Sequence, residues 1–91
     1  EFVEVLRAHA RYIATNPKAK VMLEGHTDER GTREFNLALA EDRAAAVRRF
    51  MRAEGAAESQ LGILTFGEEK PTQPGQGEQI WALNRRVELV Y

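Results

Sequence analysis

The chain has 91 residues, 43% of them hydrophobic, and its 13 basic and 14 acidic side chains leave a formal net charge of −1. That length suits one domain over 1–91 with a modest core, and the interspersed signs lack the basic stripe of a nucleic-acid binder. The absence of cysteine excludes disulfides and thiol chemistry, and no apolar run approaches the roughly 20 residues that cross a bilayer as a helix.

In chain order, the first signal is helical. "EFVEVLRAHARYIA" sets Phe2, Leu6, His9 and Ile13 on one stripe, flanked by Val5 and Tyr12, with Glu4, Arg7 and Arg11 outside. This predicts an amphipathic helix in which His9 packs into the core. A chain that opens on helix-like sequence also places Glu1 at a processing or truncation boundary. Pro17 ends the helix, and "KVMLEG" follows as an apolar run of strand length. The loop "HTDERG" leads to Thr32, a candidate N-cap. At roughly 100° per residue, a helix over about 33–53 gathers Asn36, Leu39, Ala40, Arg43, Ala44, Val47, Phe50 and Met51 on one face. Glu34, Glu41, Arg48, Arg49 and Arg52 lie opposite. Gly55 supplies the stop, and "AAESQ" reads as a connector or helical turn.

"LGILTFG" is a second strand, and "EEKPTQPGQGEQ", with two prolines and two glycines, is a loop. "EQIWALN" predicts a short helix with Trp81 as a core cover, and "RRVELVY" a last strand. This order gives an α+β or α/β sandwich with helices covering a sheet. Three strands make a thin sheet, so a further strand is expected upstream of Glu1.

Two polar residues, Asn36 and Arg43, interrupt the apolar stripe of the long helix. Burying an unpaired guanidinium costs several kcal/mol, so Arg43 needs a partner or an opening to water. Asp28 lies at the end of the preceding strand, and a helix running back antiparallel past that end, as in a right-handed crossover, brings the two together. An Asp28–Arg43 or Glu24–Arg43 ion pair fixing the helix on the sheet accounts for this. A site accounts for it too, because a carboxylate beside a guanidinium complements a zwitterion with ammonium and carboxylate on one carbon. Other chemistry finds little support. "HTDE" offers one His and two carboxylates, Asp28 and Glu29, in a single loop, which is thin for a metal. Ser59 is the only serine and lacks triad companions. The side chains of Asp28 and Glu29, adjacent in sequence, diverge, which does not suit glycoside hydrolysis. No cofactor, metal or catalytic residue is therefore expected. Asn84 and Arg85 either begin a solvated strand or rim the same site.

The segment "GHTDERGTREFNLALAEDRAAAV" resembles the peptidoglycan-binding domain shared by outer-membrane protein A and its relatives. Within that superfamily, "EGHTDERGT", "FGEEKP" and "NRRVELVY" resemble the peptidoglycan-associated lipoproteins of the Tol–Pal system. The motifs G-H-T-D, N-x-x-L-x-x-x-R-A and N-R-R-V occur in this order and cover nearly the whole chain.

The resemblance implies an α+β fold, a two-layer sandwich of helices on one face of a mixed sheet, whose first strand is missing here. It implies non-covalent binding of peptidoglycan at the meso-diaminopimelate of the stem peptide, without catalysis. Asp28 would hold the ammonium of that residue and Arg43 its carboxylate. Thr27, Gly31, Thr32 and Asn36 would complete the site, with Asn84 and Arg85 at its rim. It further implies a lipid anchor upstream of this chain, a place on the periplasmic face of the outer membrane, and a part in envelope integrity and cell division. The β-propeller protein TolB is the implied protein partner, with Glu29, Arg30 and "EEKPTQ" as expected contacts. Losing the first strand would leave an open sheet edge, so a homodimer is also expected. The same motifs occur in wall-anchoring domains of porins and flagellar stators. A wall hydrolase would need a nucleophile or metal cluster that this sequence does not offer.

Overall fold

The computed structural model describes residues 2–28, 30–67, 69 and 86–91. In chain order these form α1 (Phe2–Thr15), β1 (Val21–His26), α2 (Arg33–Ala53), a 3-10 turn (Glu58–Gln60), β2 (Leu61–Gly67) and β3 (Val87–Val90). Each falls within a few residues of the segment its sequence pattern predicts. The expected "EQIWALN" helix, with Trp81, and the positions of Asn84 and Arg85 lie outside the described residues.

The sheet has the order β2-β1-β3, with β1 central. β1 pairs parallel with β2 and antiparallel with β3, so the sheet is mixed. Parallel neighbours need a long crossover, and α2 supplies it. Val21 and Leu23 are buried while Met22 between them is exposed, the two-residue alternation of a strand with one covered face. On that face, Leu6, Ala10 and Ile13 of α1 and Ala44, Val47 and Met51 of α2 join Val21, Leu23 and Leu61 in one core. Helices on one face of a mixed sheet make the α+β sandwich that the sequence predicts.

Local chemistry fixes both ends of α2. The Thr32 hydroxyl accepts from Phe35 N at 3.1 Å, capping the first turn. At the other end, Gly55 takes φ +115°, a conformation that costs glycine little. Ala56 N then reaches Met51 O at 3.1 Å and Gly55 N reaches Arg52 O at 3.0 Å, closing the helix with a Schellman motif. A second fastener is Gln60, which is buried. Its amide nitrogen donates to the carbonyls of Ile13, Asn16 and Ala19 at 2.8, 3.0 and 3.0 Å, and its amide oxygen accepts from Ala57 N at 3.0 Å. One side chain thus ties the α1–β1 connection to the start of β2.

The stripe of α1 is narrower than its sequence suggests. Val5 and Tyr12 are more than half exposed, and His9 is a half-buried rim residue and not a core one. Ala10 and not His9 sits at the close approach to the rest of the molecule, being fully buried between Leu6 and Ile13. His9 instead turns to the chain end, where its Nδ1 hydrogen-bonds the Tyr91 hydroxyl and the rings stack at 5.6 Å.

The tightest packing constraint is at Gly25. A Cβ there would stand 2.1 Å from the carbonyl oxygen of Ala40, so the backbone of α2 lies directly on β1. A backbone atom cannot step aside as a side chain can. Gly25→Ala should therefore cost about 3 kcal/mol of unfolding free energy, the upper end for an overpacked site, measured by urea denaturation. Gly62→Ala is the control: its Cβ would meet only the flexible tip of Met22, at 3.1 Å, and it should remain folded. A Gly25→Ala protein as stable as the parent would refute the close approach.

Candidate functional site

The site begins where β1 ends. Pairing of β1 with β2 stays in register from Val21↔Leu61 to Gly25↔Thr65, then slips so that His26 faces Gly67 and Phe66 is the extra residue. Such a bulge bends the strand and re-aims the side chains beyond it. Gly67 permits it with φ +58°, and a Cβ on Gly67 would sit 3.1 Å from the backbone nitrogen of Leu37. The departing loop hangs from both neighbouring strands: His26 N donates to Arg86 O at 2.8 Å and Thr27 N to Gly67 O at 2.7 Å.

From there His26 and Asp28 part company, and Glu29 lies outside the described residues. The His26 side chain is buried against Phe66, with ring centroids 5.3 Å apart. It lies 3.9 Å from the Glu24 carboxylate, and Glu24 faces Glu88 across the β1–β3 ladder. One donor atom from each of Glu24, His26 and Glu88 falls within 4.8 Å of the others, a different set from the one the loop sequence suggests. Arg86 makes an ion pair with Glu88, supplying positive charge to this group from the protein itself.

Asp28 goes the other way. It is 5% exposed, and the fork of Arg30 grips it, with Nη2 2.8 Å from Oδ2 and Nε 3.2 Å from Oδ1. Arg30 N adds a third bond to Oδ1 at 3.0 Å. Arg43 approaches from α2, about one turn beyond Ala40, and its Nη1 donates to the His26 carbonyl at 3.2 Å. The ion pair expected between Asp28 and Arg43 is therefore replaced by a local one, because Arg30 lies only two residues from Asp28. The alternative Glu24–Arg43 pair is not formed either, since Glu24 shares the His26 side of the strand. Among the described residues, no carboxylate lies within ion-pairing distance of Arg43.

Asp28 and Arg43 nevertheless open on one cleft of about 360 Å³. Thr27, Arg30 and Gly31 of the loop and Asn36, Leu39 and Phe35 of α2 line the remainder. Among the described residues its walls carry one carboxylate and two guanidiniums, partly shielded from water, where charge-assisted hydrogen bonds are stronger than in bulk solvent. Such a lining suits a small guest bearing both an ammonium and a carboxylate. A larger groove of about 590 Å³ runs along Val5, Ala8, His9, Tyr12 and Tyr91. It is apolar and carries no formal charge with which to recognise such a guest.

Of the residues named from the sequence, Thr27, Asp28, Gly31, Asn36 and Arg43 meet at the cleft, whereas Thr32 serves as the helix cap and is absent from the lining. Asn84 and Arg85 lie outside the described residues. Sequence reasoning missed Arg30 as a partner of Asp28 and Phe35 as part of the wall. The signal for Arg30 is its spacing of two from Asp28, where a turn brings side chains together. Phe35 carries a signal only in its place on the first helical turn, where the residue remains 61% exposed.

A family model described as the OmpA family matches residues 3–85. The chain belongs to the OmpA family. It is 46% identical over 91 residues to the peptidoglycan-associated lipoprotein of Haemophilus influenzae, covering all of this chain and 60% of that protein. It is 48% identical over 89 residues to the one from Pseudomonas aeruginosa, covering 98% of this chain and 52% of that protein. The chain thus spans little more than half the length of these relatives. Among solved structures, the crystal structure of the peptidoglycan-associated lipoprotein from Burkholderia pseudomallei superposes with a TM-score of 0.96 at 43% identity, over 99% of this chain and 76% of that one. The C-terminal domain of Helicobacter pylori MotB superposes with a TM-score of 0.84 at 25% identity, over 96% and 68%. The OmpA-family fold is therefore held in common by proteins of different names.

One cleft residue of this OmpA-family chain has an unmet bond. Thr27 is 3% exposed, and its hydroxyl has no hydrogen-bond partner among the described residues. A buried unsatisfied hydroxyl costs on the order of 1–3 kcal/mol. Thr27→Val, of the same shape, should therefore leave the empty protein as stable as the parent or up to about 1 kcal/mol more stable, measured by thermal unfolding. A loss of more than about 1 kcal/mol would mean that the hydroxyl is satisfied.

Proposed function

We infer that this chain binds peptidoglycan non-covalently, through the diaminopimelate residue of the stem peptide. One observation carries the reading: a carboxylate, Asp28, and a guanidinium without a carboxylate partner among the described residues, Arg43, open on the same small cleft. A diaminopimelate end presents an ammonium and a carboxylate on one carbon, spaced for such a pair. The ammonium would meet the Asp28 carboxylate, and the carboxylate would accept the free N–H groups of Arg43 in a two-point bond. Thr27 would supply its unsatisfied hydroxyl, and Asn36 would stand between the two charged groups. No bond is broken, so the activity is recognition and not catalysis.

Similarity to named peptidoglycan-associated lipoproteins supports this reading beyond the geometry. It extends to a tether between cell wall and outer membrane, held on the membrane's periplasmic face by a lipid outside this chain. It extends also to membership of the Tol–Pal system in envelope integrity and cell division, with TolB as the protein partner. Pairing of two copies through the outer edge of β3, which neighbours only β1 among the described strands, belongs to the same reading. The wall-anchoring domain of a stator is favoured less, because identity to MotB is 25% against 43–48% for the lipoproteins.

Sedimentation with purified sacculi tests the site. Asp28→Asn and Arg43→Ala should each weaken binding at least about tenfold, since each leaves one charge of the guest unpaired in a shielded cleft. Walls containing lysine in place of diaminopimelate lack the distal carboxylate and should retain less protein. Parent-like binding by both variants would sink the assignment.

A further inference from the structure

Resting on that reading, we propose that Arg30 is a positioning residue that occupies the ammonium seat of the cleft and is displaced when the wall peptide binds. Its fork takes both oxygens of Asp28, the atoms a guest ammonium has to reach. Both carboxylate oxygens already accept from Arg30, so a guest ammonium competes with that fork for them. The guanidinium has a path out, because the Arg30 side chain is 50% exposed and water takes over its charge while the guest ammonium replaces it as the counter-charge of Asp28.

The aim of Asp28 survives the exchange. Arg30 N still donates to Oδ1 at 3.0 Å through the backbone, so the carboxylate keeps its direction while the side chain above it swings away. In the empty protein the fork has a purpose of its own, for a carboxylate only 5% exposed is costly to leave without a counter-charge. Arg30 therefore stabilises the empty site and competes with the guest, two effects of opposite sign on stability and on affinity. Arg43 differs: its side chain ends on a backbone carbonyl, whose acceptance of one N–H leaves the charge available to a guest.

The test is calorimetric titration of the full chain with a synthetic tripeptide ending in meso-diaminopimelate, alongside thermal unfolding. Arg30→Gln should bind roughly three- to tenfold more tightly than the parent while unfolding at a lower temperature. Arg30→Lys, a cation without the fork, should fall between the two. If Arg30→Gln binds as the parent does or more weakly while Asp28→Asn remains impaired, Arg30 is not a competitor and the proposal falls alone. If Asp28→Asn binds as well as the parent, the reading of the cleft falls and the role of Arg30 with it.

Discussion

The contact between the backbone of α2 at Ala40 and the backbone of β1 at Gly25 sets the geometry of everything around it. No side chain separates the two elements there, since a single methyl would overlap the Ala40 carbonyl oxygen. Interiors are packed as densely as organic crystals, so an approach this close leaves little freedom of rotation or slide. It fixes which residues of α2 fall over the end of the strand. Ala40 is on the strand, Arg43 is the next residue of that face, and its guanidinium therefore arrives at the His26 carbonyl. With Gly67 against Leu37 and Asn36 in a looser approach, 3.1–3.3 Å for an added Cβ, glycines on two neighbouring strands seat the first half of the helix. The floor of the cleft is a consequence of that seat.

Charge is distributed on this scaffold so that each group satisfies a different requirement. His26 and Asp28 are two residues apart and buried, yet they serve opposite sides of the sheet. The bulge at Gly25/His26 and the loop's two strand-anchored bonds turn the chain between them. On the far side, His26 and Glu24 lie with Glu88 and Arg86 in a local charge network. On the cleft side, one buried carboxylate meets two guanidiniums from different elements. A helix presents one of them and the loop after β1 presents the other, with its side chain half exposed. That difference, more than the net charge of the cleft, separates a fixed recognition group from a replaceable one.

The long helix was the most legible part of the sequence. Its 3.6-residue period isolates Asn36 and Arg43 as the two polar interruptions of an apolar stripe, and the structure places both on the cleft. Caps and stops were equally plain, because Thr32 acts through its own hydroxyl and Gly55 and Pro17 through their own backbone conformations. The same period carried less in α1. In α1, His9, Val5 and Tyr12 sit at helical spacings that suit burial, but the molecule covers only the line through Leu6, Ala10 and Ile13. How wide a stripe is covered depends on what lies against it, which periodicity does not contain. The Gln60 fastener was invisible for the same reason, since its three carbonyl partners lie more than forty residues away.

Taken alone, the sequence determined the element order, the ends of the helices, the polar residues on the inner face of α2 and the crowding of charge in one loop. These are properties of neighbours along the chain, set by backbone conformation and by helical and strand periods. Only the tertiary structure decided which charge meets which. Asp28 pairs with Arg30 and not with Arg43, Glu24 turns to the opposite side of the sheet, and Arg43 rests on a carbonyl. Ion pairing falls off with distance and depends on burial, and both are fixed by how closely the helix lies on the strand.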